Sequence, residues 1–337
     1  MRAVAIELDP RRLTEREIAE PRRERDSQVL FQVREVGICG TDRDLARFRG
    51  GMLPEGESFL VLGHEALGQV VEAGSAAVGF SPGDWVVPSV RRACPGCPEC
   101  ARGRRDLCRT GRYTERGIVR CHGYFTQFAV DEAEDLLRVP PSLADVAILI
   151  EPLSVVEKAI ERAFETHPAQ PERALVLGAG PVGILAAFVL QLRGLAVELF
   201  SLEPRGHPRI RLIEAAGIRY RERLDGSPVD LIVEAAGSAE VVFQSLRVLA
   251  PMGVLVLLGA KNAAGQMPFF EMIVHNQSVI GSVNSSPRAF ALALEDLARM
   301  ERRNLAALIR REAFSSFPAT ILGEPPEAAK LVHVVDR

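Results

Sequence analysis

One stretch decides the fold of this chain: Ala174-Leu175-Val176-Leu177-Gly178-Ala179-Gly180-Pro181-Val182-Gly183. Its first four residues predict a buried strand, and the apolar residues after Gly183 predict a helix running to Leu192. Glycines permit the tight turn between them, and the helix N-terminus offers amide donors to a pyrophosphate. The spacing Gly-x-Gly-x-x-Gly in this context predicts a dinucleotide site at 178–183. The alternative is a glycine-rich turn that binds no ligand.

Apolar segments recur after this motif at the spacing of strands that alternate with helices. They are Val197-Glu198-Leu199-Phe200, a weaker one near Ile218-Arg219-Tyr220, Asp230-Leu231-Ile232-Val233, Val254-Leu255-Val256-Leu257-Leu258 and Ser278-Val279-Ile280. Continuous apolar strands predict a parallel sheet covered by helices on both faces. We therefore expect a doubly wound α/β domain over 155–287.

The first part of the chain has a different pattern, with short apolar runs separated by frequent glycines and prolines. Examples are Leu30-Phe31-Gln32-Val33 and Asp84-Trp85-Val86-Val87. This pattern predicts a β-rich, barrel-like domain over 1–154. The remaining residues, 288–337, begin with a predicted helix from Ala289 to Met300 and are expected to rejoin the first domain.

Composition excludes several classes of function. The 337 residues are 47% hydrophobic and 25% charged, with a net charge of −3, which is typical of a globular enzyme and not of a nucleic-acid binder. Ala174 to Leu192 is uncharged, but Gly178, Gly180, Pro181 and Gly183 interrupt it, so we expect no membrane span. We expect no signal peptide at Met1-Arg2-Ala3-Val4, and we therefore expect a cytoplasmic protein.

The second strand of the α/β domain leads to candidates for recognition of the adenosine ribose. A carboxylate about twenty residues after the glycine motif can accept hydrogen bonds from the ribose hydroxyls. Glu203 lies at that distance, just after Ser201, whereas Glu198 falls inside the strand. Arg205 follows Glu203, so NADP stays possible, but the position of Glu203 favours NAD.

Four cysteines at Cys94, Cys97, Cys100 and Cys108 can close around one tetrahedral zinc ion within a single loop. Disulfides are the alternative, but six cysteines in the chain are few for a disulfide framework. Arginines surround the loop, and we interpret them as a solvated or subunit-facing surface. The four thiolates predict a closed, structural zinc site.

A second, dispersed set of possible metal ligands consists of Cys39, the adjacent His64-Glu65, and Glu151. Such a mixed set is what a catalytic zinc with an open position uses. Each member alone has another explanation, such as a buried cysteine, a surface pair or a helix start. Cys121-His122 has no further ligand at zinc spacing and is interpreted as a loop or strand edge.

Together these segments resemble the zinc-dependent medium-chain dehydrogenases, and within them the microbial glucose 1-dehydrogenases. The resemblance covers nearly the whole chain. The motifs that carry it are Gly37-Ile38-Cys39-Gly40-Thr41-Asp42, Gly63-His64-Glu65-Ala66-Leu67-Gly68, the four cysteines, Glu151 to Lys158, the glycine motif, and His275 to Asn284. Pro54-Glu55-Gly56-Glu57, Thr114-Glu115-Arg116-Gly117-Ile118 and Gly281-Ser282-Val283-Asn284 resemble the glucose dehydrogenase branch specifically.

The resemblance implies a GroES-like β-rich catalytic domain followed by a doubly wound Rossmann domain. It also implies roles for single residues. Cys39, His64 and Glu151 match the catalytic zinc ligands, with Glu65 as a further ligand or a base that holds water, and Thr41 matches the hydroxyl that relays the substrate proton. Glu115, Glu151 and Asn284 match sugar contacts, Asn284 also adjoins the cofactor, and His275 is expected to help close the site.

Two departures bear on specificity. Val90 stands where the branch commonly has an asparagine that contacts the sugar, and Leu202-Glu203 stands where NADP-accepting members have paired arginines. The expected function is oxidation of an aldose to its lactone with NAD(P) and two zinc ions per chain, in a dimer or tetramer. The alternatives are oxidation of a secondary hydroxyl of a polyol, cyclitol or amino alcohol by the same chemistry, and a non-catalytic protein that binds nucleotide and zinc.

Overall fold

The computed structural model of the chain describes residues 1–259, 261–323, 327 and 329–336. Its strands are β1 (Arg2–Leu8), β2 (Arg11–Glu17), β3 (Gln28–Ile38), β4 (Phe59–Val61), β5 (Glu65–Ala73), β6 (Trp85–Pro88), β7 (Arg91–Arg92), β8 (Thr114–Arg116), β9 (Arg120–Cys121), β10 (Phe128–Glu132), β11 (Leu136–Val139), β12 (Arg173–Leu177), β13 (Ala196–Phe200), β14 (Arg219–Arg221), β15 (Val229–Glu234), β16 (Leu249–Leu257), β17 (Ser278–Gly281), β18 (Ile309–Ala313) and β19 (Lys330–Val334).

The α-helices are α1 (Gly40–Ala46), α2 (Pro98–Ala101), α3 (Ile150–Thr166), α4 (Pro181–Leu192), α5 (Pro208–Ala215), α6 (Ala239–Ser245), α7 (Phe269–Val274), α8 (Pro287–Arg299), α9 (Arg302–Leu308) and α10 (Phe317–Leu322). None of these helices, within the described ranges, combines the length and apolar character that a membrane-spanning helix requires. The uncharged stretch from Ala174 to Leu192 is divided between β12 and α4.

The second half of the chain forms a parallel sheet with the strand order β14-β13-β12-β15-β16-β17. Numbered from β12, this order is 3-2-1-4-5-6, which is the doubly wound dinucleotide-binding arrangement. The chain reverses direction across the sheet between β12 and β15, so the crevice for a ligand opens at the carboxyl ends of these strands. The predicted α/β fold is confirmed, including the weak strand near Tyr220.

The first half contributes most strands of a mainly antiparallel sheet in which β3 is central, pairing with β5, β10 and β19, while β18 and β19 pair in parallel. The last strand, β19, comes from the end of the chain and lies between β3 and β18, with Leu331 opposite Ile38. This pairing supports the predicted return of the C-terminal segment. We retain the boundaries 1–154, 155–287 and 288–337 as a proposal.

Helix α3 connects the two sheets through its apolar side chains. Leu153 and Val156 are fully buried in one continuous core that contains Leu67 of β5 and Val256 of the parallel sheet. Because the first turn of α3 also carries Glu151, this core fixes a candidate metal ligand relative to the nucleotide domain.

Candidate active site and metal centres

The first metal group forms where β3 ends and β5 begins. Cys39 follows β3 directly and caps α1, and strand register places Gly37 of β3 opposite Glu65, the first residue of β5. Ligand atoms of Cys39, His64 and Glu65 lie within 4.8 Å of one another. Sheet pairing therefore brings together residues that are far apart in sequence.

Asp42 organises two of these ligands from a completely buried position. Its Oδ2 accepts a hydrogen bond from the Cys39 amide at 2.9 Å, and its Oδ1 lies 3.4 Å from Nδ1 of His64. Burial favours the protonated acid, but His64, the Cys39 amide and the charge of Lys330 together keep the pKa of Asp42 below its usual value. A carboxylate facing Nδ1 leaves Nε2 of His64 as the metal-binding nitrogen.

Lys330 is the charged partner of Glu65, and both side chains are almost fully buried. The Lys330 ammonium forms an ion pair with the Glu65 carboxylate and donates a hydrogen bond to the carbonyl of Ile38 at 3.2 Å. Sequence reasoning missed Lys330 because only the pairing of β19 with β3 brings it to this site. Glu65 therefore has a fixed, neutralised position next to Cys39 and His64.

Glu151 lies close enough to interact electrostatically with Glu65, His64 and Lys330. Burial and then repulsion by Glu65 raise the pKa of Glu151 to about 8. A divalent cation beside it would favour the ionised carboxylate. A thiolate, an imidazole and buried carboxylates form a donor set that fits zinc. The hydroxyl of Thr41 lies 3.9 Å from Sγ of Cys39, at the edge of this group.

The four-cysteine loop forms the second metal group. The Sγ atoms of Cys94, Cys97, Cys100 and Cys108 all lie within 4.8 Å of one another, with Cys94 at 3.5 Å from Cys108 and 3.9 Å from Cys100. Four thiolates around zinc have sulfur atoms about 3.8 Å apart, whereas a disulfide needs about 2.05 Å. The spacing fits a tetrahedral zinc ion and excludes disulfides. A hydrogen bond with Thr110 lowers the pKa of Cys108 to about 6, which favours the thiolate.

The arginines near this loop correct one interpretation. Arg91 and Arg105 are buried and Arg92 is mostly so, each in ion pairs with buried carboxylates: Arg91 with Glu115, Arg92 with Asp131, and Arg105 with Asp135. These three arginines attach the loop to its neighbours and are not a solvated surface, whereas Arg102, Arg104, Arg109 and Arg112 are exposed as expected. The sequence alone does not distinguish a buried, paired arginine from an exposed one, because the carboxylate partners lie far along the chain.

Gly178, Ala179 and Gly180 of the glycine motif line a cleft of about 560 Å³ with Ser201, Glu203 and Ala236. Gly178 has a φ of +106°, and a Cβ atom there would lie 2.9 Å from the carbonyl oxygen of Ala235. A Cβ on Gly183 would lie 2.0 Å from the carbonyl of Gly178, so only glycine lets α4 approach β12 this closely.

The helix end and the ribose candidate face this same cleft. Gly180 caps α4, and Pro181, Val182 and Gly183 form its first turn. Glu203 lies on the opposite wall, 3.4 Å from Nη1 of Arg209, which also lines the cleft. The cleft at the carboxyl ends of β12 and β13 thus brings together Gly178, Ala179, Gly180, Ser201 and Glu203 of the predicted cofactor residues. Asn284 lies elsewhere, in contact with Glu115.

Glu115 and Asn284 meet although they are 169 positions apart. Asn284 donates a hydrogen bond from Nδ2 to Oε1 of Glu115 at 2.8 Å, and Arg91 donates to the same oxygen at 2.9 Å. Among the hydrogen bonds of the described residues, those to this carboxylate fall on Oε1, which leaves Oε2 for a ligand hydroxyl. The contact joins the loop after β17 to the catalytic half.

His275 lies elsewhere. It is exposed after α7, in a separate hollow with Phe243, Arg247 and Gln277. No contact among the described residues joins it to Cys39 or Asn284, so its role in closing the site stays a prediction. Cys121 belongs to β9 and His122 accepts a hydrogen bond from the Val61 amide at 3.2 Å, which agrees with a structural interpretation of this pair.

Comparison with known proteins identifies two family models along the chain. Residues 25–141 match the alcohol dehydrogenase GroES-like domain, and residues 144–319 match the glucose dehydrogenase C-terminus. The glucose 1-dehydrogenase of Methanocella arvoryzae is 40% identical over 296 residues, which are 82% of both chains. That of Thermoproteus tenax is 41% identical over 311 residues, which are 88% of both chains.

A solved structure is similar over the full length. Haloferax mediterranei glucose dehydrogenase in complex with NADP, Zn and gluconolactone superimposes with a TM-score of 0.92 at 32% identity, covering 100% of each chain. The galactitol-1-phosphate dehydrogenase of Escherichia coli, with a TM-score of 0.83 at 22% identity, shares the fold. The sequence and the structure agree that this chain belongs to the zinc-dependent medium-chain dehydrogenases, and within them to the glucose dehydrogenase family.

Proposed function

We propose that this protein oxidises the anomeric hydroxyl of an aldose such as glucose to the 1,5-lactone. The substrate loses a hydride from the anomeric carbon and a proton from its hydroxyl, and NAD(P)⁺ becomes NAD(P)H. The observation that carries the proposal is the contact of Glu115 with Asn284, because it places hydrogen-bonding groups from both halves of the chain at one position.

Cys39, His64 and Glu151 are the residues that we assign to the catalytic zinc, with Glu65 as a further ligand or a base. When bound, zinc supplies Lewis acidity that lowers the pKa of a substrate hydroxyl, and the nicotinamide accepts the hydride. Thr41 is assigned to carry the released proton away from the substrate, since its hydroxyl can donate and accept at once. Burial of His64 and Glu65 excludes bulk water from this group.

Glu115 and Asn284 are assigned to the sugar hydroxyls. Arg91 balances the charge of Glu115 and restrains it, so its free oxygen presents an acceptor in a fixed direction. A site built to hydrogen-bond hydroxyl groups rejects substrates that lack them, because its polar groups are then left without partners.

Gly178 to Gly183 are assigned to the pyrophosphate, and Ser201 and Glu203 to the adenosine ribose. The assignment is supported by the cleft that Gly178, Ala179, Gly180, Ser201 and Glu203 line, and by the start of α4 directly after Gly180. Glu203 favours NAD over NADP, since a carboxylate repels a 2′-phosphate.

The test is a panel of aldoses, polyols and cyclitols, assayed with NAD and with NADP. We expect the highest efficiency with a hydroxyl-rich aldose and a lactone as product. Preference for a polyol or cyclitol would move the secondary-alcohol alternative ahead, and no turnover in zinc-loaded protein would favour the non-catalytic alternative.

Glu115→Ala tests the sugar assignment within that panel. Loss of a hydrogen bond to a charged group costs about 1.5–3 kcal/mol, so we expect efficiency for the aldose to fall more than for a simple alcohol. Equal losses for both substrates would make Glu115 a structural residue.

The protein is also proposed to be a cytoplasmic homo-oligomer, a dimer or a tetramer. Phe269, Phe270 and Ile273 of α7 are 66%, 75% and 74% exposed, beside β17 at the end of the parallel sheet. Exposed apolar surface of this kind favours subunit contact. Four thiols assembled for a metal favour a reducing compartment. Light scattering and cell fractionation test these two statements.

A further inference from the structure

Lys158 is a buried cation that the proposed chemistry does not use. It lies in the middle of α3, only 3% exposed, where an ammonium needs a partner to offset its lost hydration. Its Nζ forms an ion pair with Oδ2 of Asp106 at 3.0 Å and donates a hydrogen bond to the carbonyl of Val283 at 2.8 Å. One side chain therefore connects α3, the four-cysteine loop and the loop after β17.

Two of these regions, the four-cysteine loop and the loop after β17, are connected a second time through Arg91 and Glu115. Arg91 donates from Nη1 to the carbonyl of Asp106 at 3.1 Å and from Nε to Oε1 of Glu115 at 2.9 Å. Glu115 accepts from Asn284, and Asn284 follows Val283 in the chain. The contacts form a closed ring of Asp106, Lys158, Val283-Asn284, Glu115 and Arg91.

The conformation of Asn284 explains why the ring needs Lys158. Asn284 has a φ of +60°, in the left-handed region that residues other than glycine seldom adopt. Its Oδ1 accepts a hydrogen bond from the Ser285 amide at 2.7 Å, so its Nδ2 is the group that faces Glu115. A left-handed conformation at Asn284 persists only where surrounding residues restrain the chain. Lys158 supplies such a restraint, because it binds the carbonyl of Val283, which immediately precedes Asn284.

We propose that Lys158 and Asp106 are positioning residues that set the Glu115–Asn284 contact and thereby couple the four-cysteine loop to recognition of the sugar. This inference rests on the proposed function. Asp106 lies between Cys100 and Cys108, so the metal that closes this loop also fixes the anchor of Lys158. Helix α3 also carries Glu151, which precedes Lys158 by about two helical turns. The helix therefore aligns the proposed metal ligand with the Glu115–Asn284 contact.

The test compares Lys158→Met, which removes the charge at similar side-chain length, with Lys158→Arg, which retains it. We expect Lys158→Met to raise KM for the aldose about tenfold, the effect of about 1.4 kcal/mol, while kcat for a simple alcohol changes little. Lys158→Arg should recover most of the difference. Arg288→Met is the matched control, because it removes a largely exposed cation of α8 that forms an ion pair with Glu161 of α3, the helix that carries Lys158.

A double-mutant cycle identifies the path. If Lys158 acts through Asn284, adding Asn284→Ala to Lys158→Met should raise KM for the aldose by much less than it does in the unmodified protein. Full additivity would overturn the proposal. Asp106→Asn gives a second variant with the same expected selectivity, so the proposal stays testable if Lys158→Met does not fold.

Hydrogen exchange of residues 281–286 gives a readout that needs no activity. We expect faster exchange in this segment in Lys158→Met and Asp106→Asn, with two zinc ions per chain retained, and no change in Arg288→Met. Should the unmodified protein fail to oxidise aldoses, the proposed function falls while this exchange still tests the positioning role. Unchanged exchange together with an unchanged ratio of aldose to alcohol efficiency would overturn the inference.

Discussion

Asp42 shows at the scale of single residues how a buried carboxylate sets a site without reacting in it. It accepts from the Cys39 and Gly63 amides and faces Nδ1 of His64. Lys330 likewise fixes Glu65, in this case through an ion pair between two buried side chains. The candidate metal ligands are thus held by charged neighbours whose own hydration was lost on folding, and replacing one of them should disturb those neighbours.

Cys39→Ser is expected to lose the catalytic zinc and nearly all turnover, more than the roughly 10–100-fold caused by loss of a ligand's hydrogen-bonding partner. Nucleotide binding should persist, because the glycine motif lies on the other sheet. Metal analysis should give one zinc per chain, and fluorescence titration should give an unchanged Kd for the cofactor. Cys121→Ser is the control, and it should retain both zinc ions and activity. Full activity in Cys39→Ser would remove Cys39 from the ligand set.

Glu203→Ala is expected to narrow the preference for NAD over NADP. The carboxylate is lost as a ribose acceptor, and its negative charge no longer repels a 2′-phosphate near Arg209, which lies 3.4 Å from it. The change should be about tenfold in the ratio of the two efficiencies, which corresponds to about 1.4 kcal/mol. If the unmodified protein prefers NADP, the assignment of Glu203 to NAD selectivity is wrong, and Arg209 becomes the candidate for binding the 2′-phosphate.

Residues in compact motifs could be predicted from the sequence, and residues that meet only through long-range pairing could not. The four cysteines, the glycine motif and the Cys39 and His64 segments have local spacings with a chemical meaning. Lys158 and Lys330 lie in no such spacing, and their partners Asp106 and Glu65 are brought to them by packing of α3 and by β19. A buried lysine in an apolar helix or strand is the signal that could have identified both.

At the scale of elements, α3 connects several parts of the molecule through charged side chains. Its first turn holds Glu151, Lys158 ties it to the four-cysteine loop, and Glu157 ties it to α4 and α8. The Glu157 carboxylate pairs with Arg193 at 2.8 Å, and Arg193 also contacts Asp296 of α8. Glu161, one turn along α3, adds a further negative charge.

Stability should fall with rising pH because of Glu157. Burial, together with Asp296 and Glu161 and against the attraction of Arg193, raises the pKa of Glu157 from 4.5 to about 8. The folded state then binds more protons than the unfolded state between these values, so the free energy of unfolding decreases as pH rises through this window. The contribution is complete below about pH 4.5 and lost above about pH 8.

Glu157→Gln should flatten this dependence, because the amide cannot ionise, with each unit of pKa difference equivalent to about 1.4 kcal/mol. Urea unfolding between pH 5.5 and pH 8.5 measures it, and Glu240→Gln on the exposed face of α6 is the control. Parallel pH profiles for Glu157→Gln and the unmodified protein would contradict the assignment.

Elements of the parallel sheet were predictable to within a few residues, since buried strands are continuous apolar runs. The strand predicted at Val254 begins earlier, at Leu249, because Pro251 and Gly253 interrupt its apolar pattern. The arrangement of the catalytic sheet was not predictable in detail, because its order depends on β19 inserting beside β3.

At the scale of the whole molecule, the two metal groups differ in how they are built. The four cysteines come from one loop, whereas Cys39 and the His64-Glu65 pair come from separate segments at the end of β3 and the start of β5, and the proposed ligand Glu151 comes from α3. We expect two zinc ions per chain, and a chelator should abolish activity before it unfolds the protein, since a catalytic site has an exchangeable position and a four-thiolate site is closed. Elemental analysis and circular dichroism during chelation measure both. Active protein with one zinc or none would contradict the two-site assignment.

The insertion of β19 beside β3 has a consequence for the order of biosynthesis. Lys330 reaches the carbonyl of Ile38 across 292 positions of chain, so its ammonium arrives after every other residue of the metal group has been made. Until then Glu65 and Glu151 face each other without a buried cation, and the closing of so long a loop is slow. A nascent chain on the ribosome can complete its four-cysteine loop early, whereas the proposed catalytic centre matures only after β19 has left the ribosome.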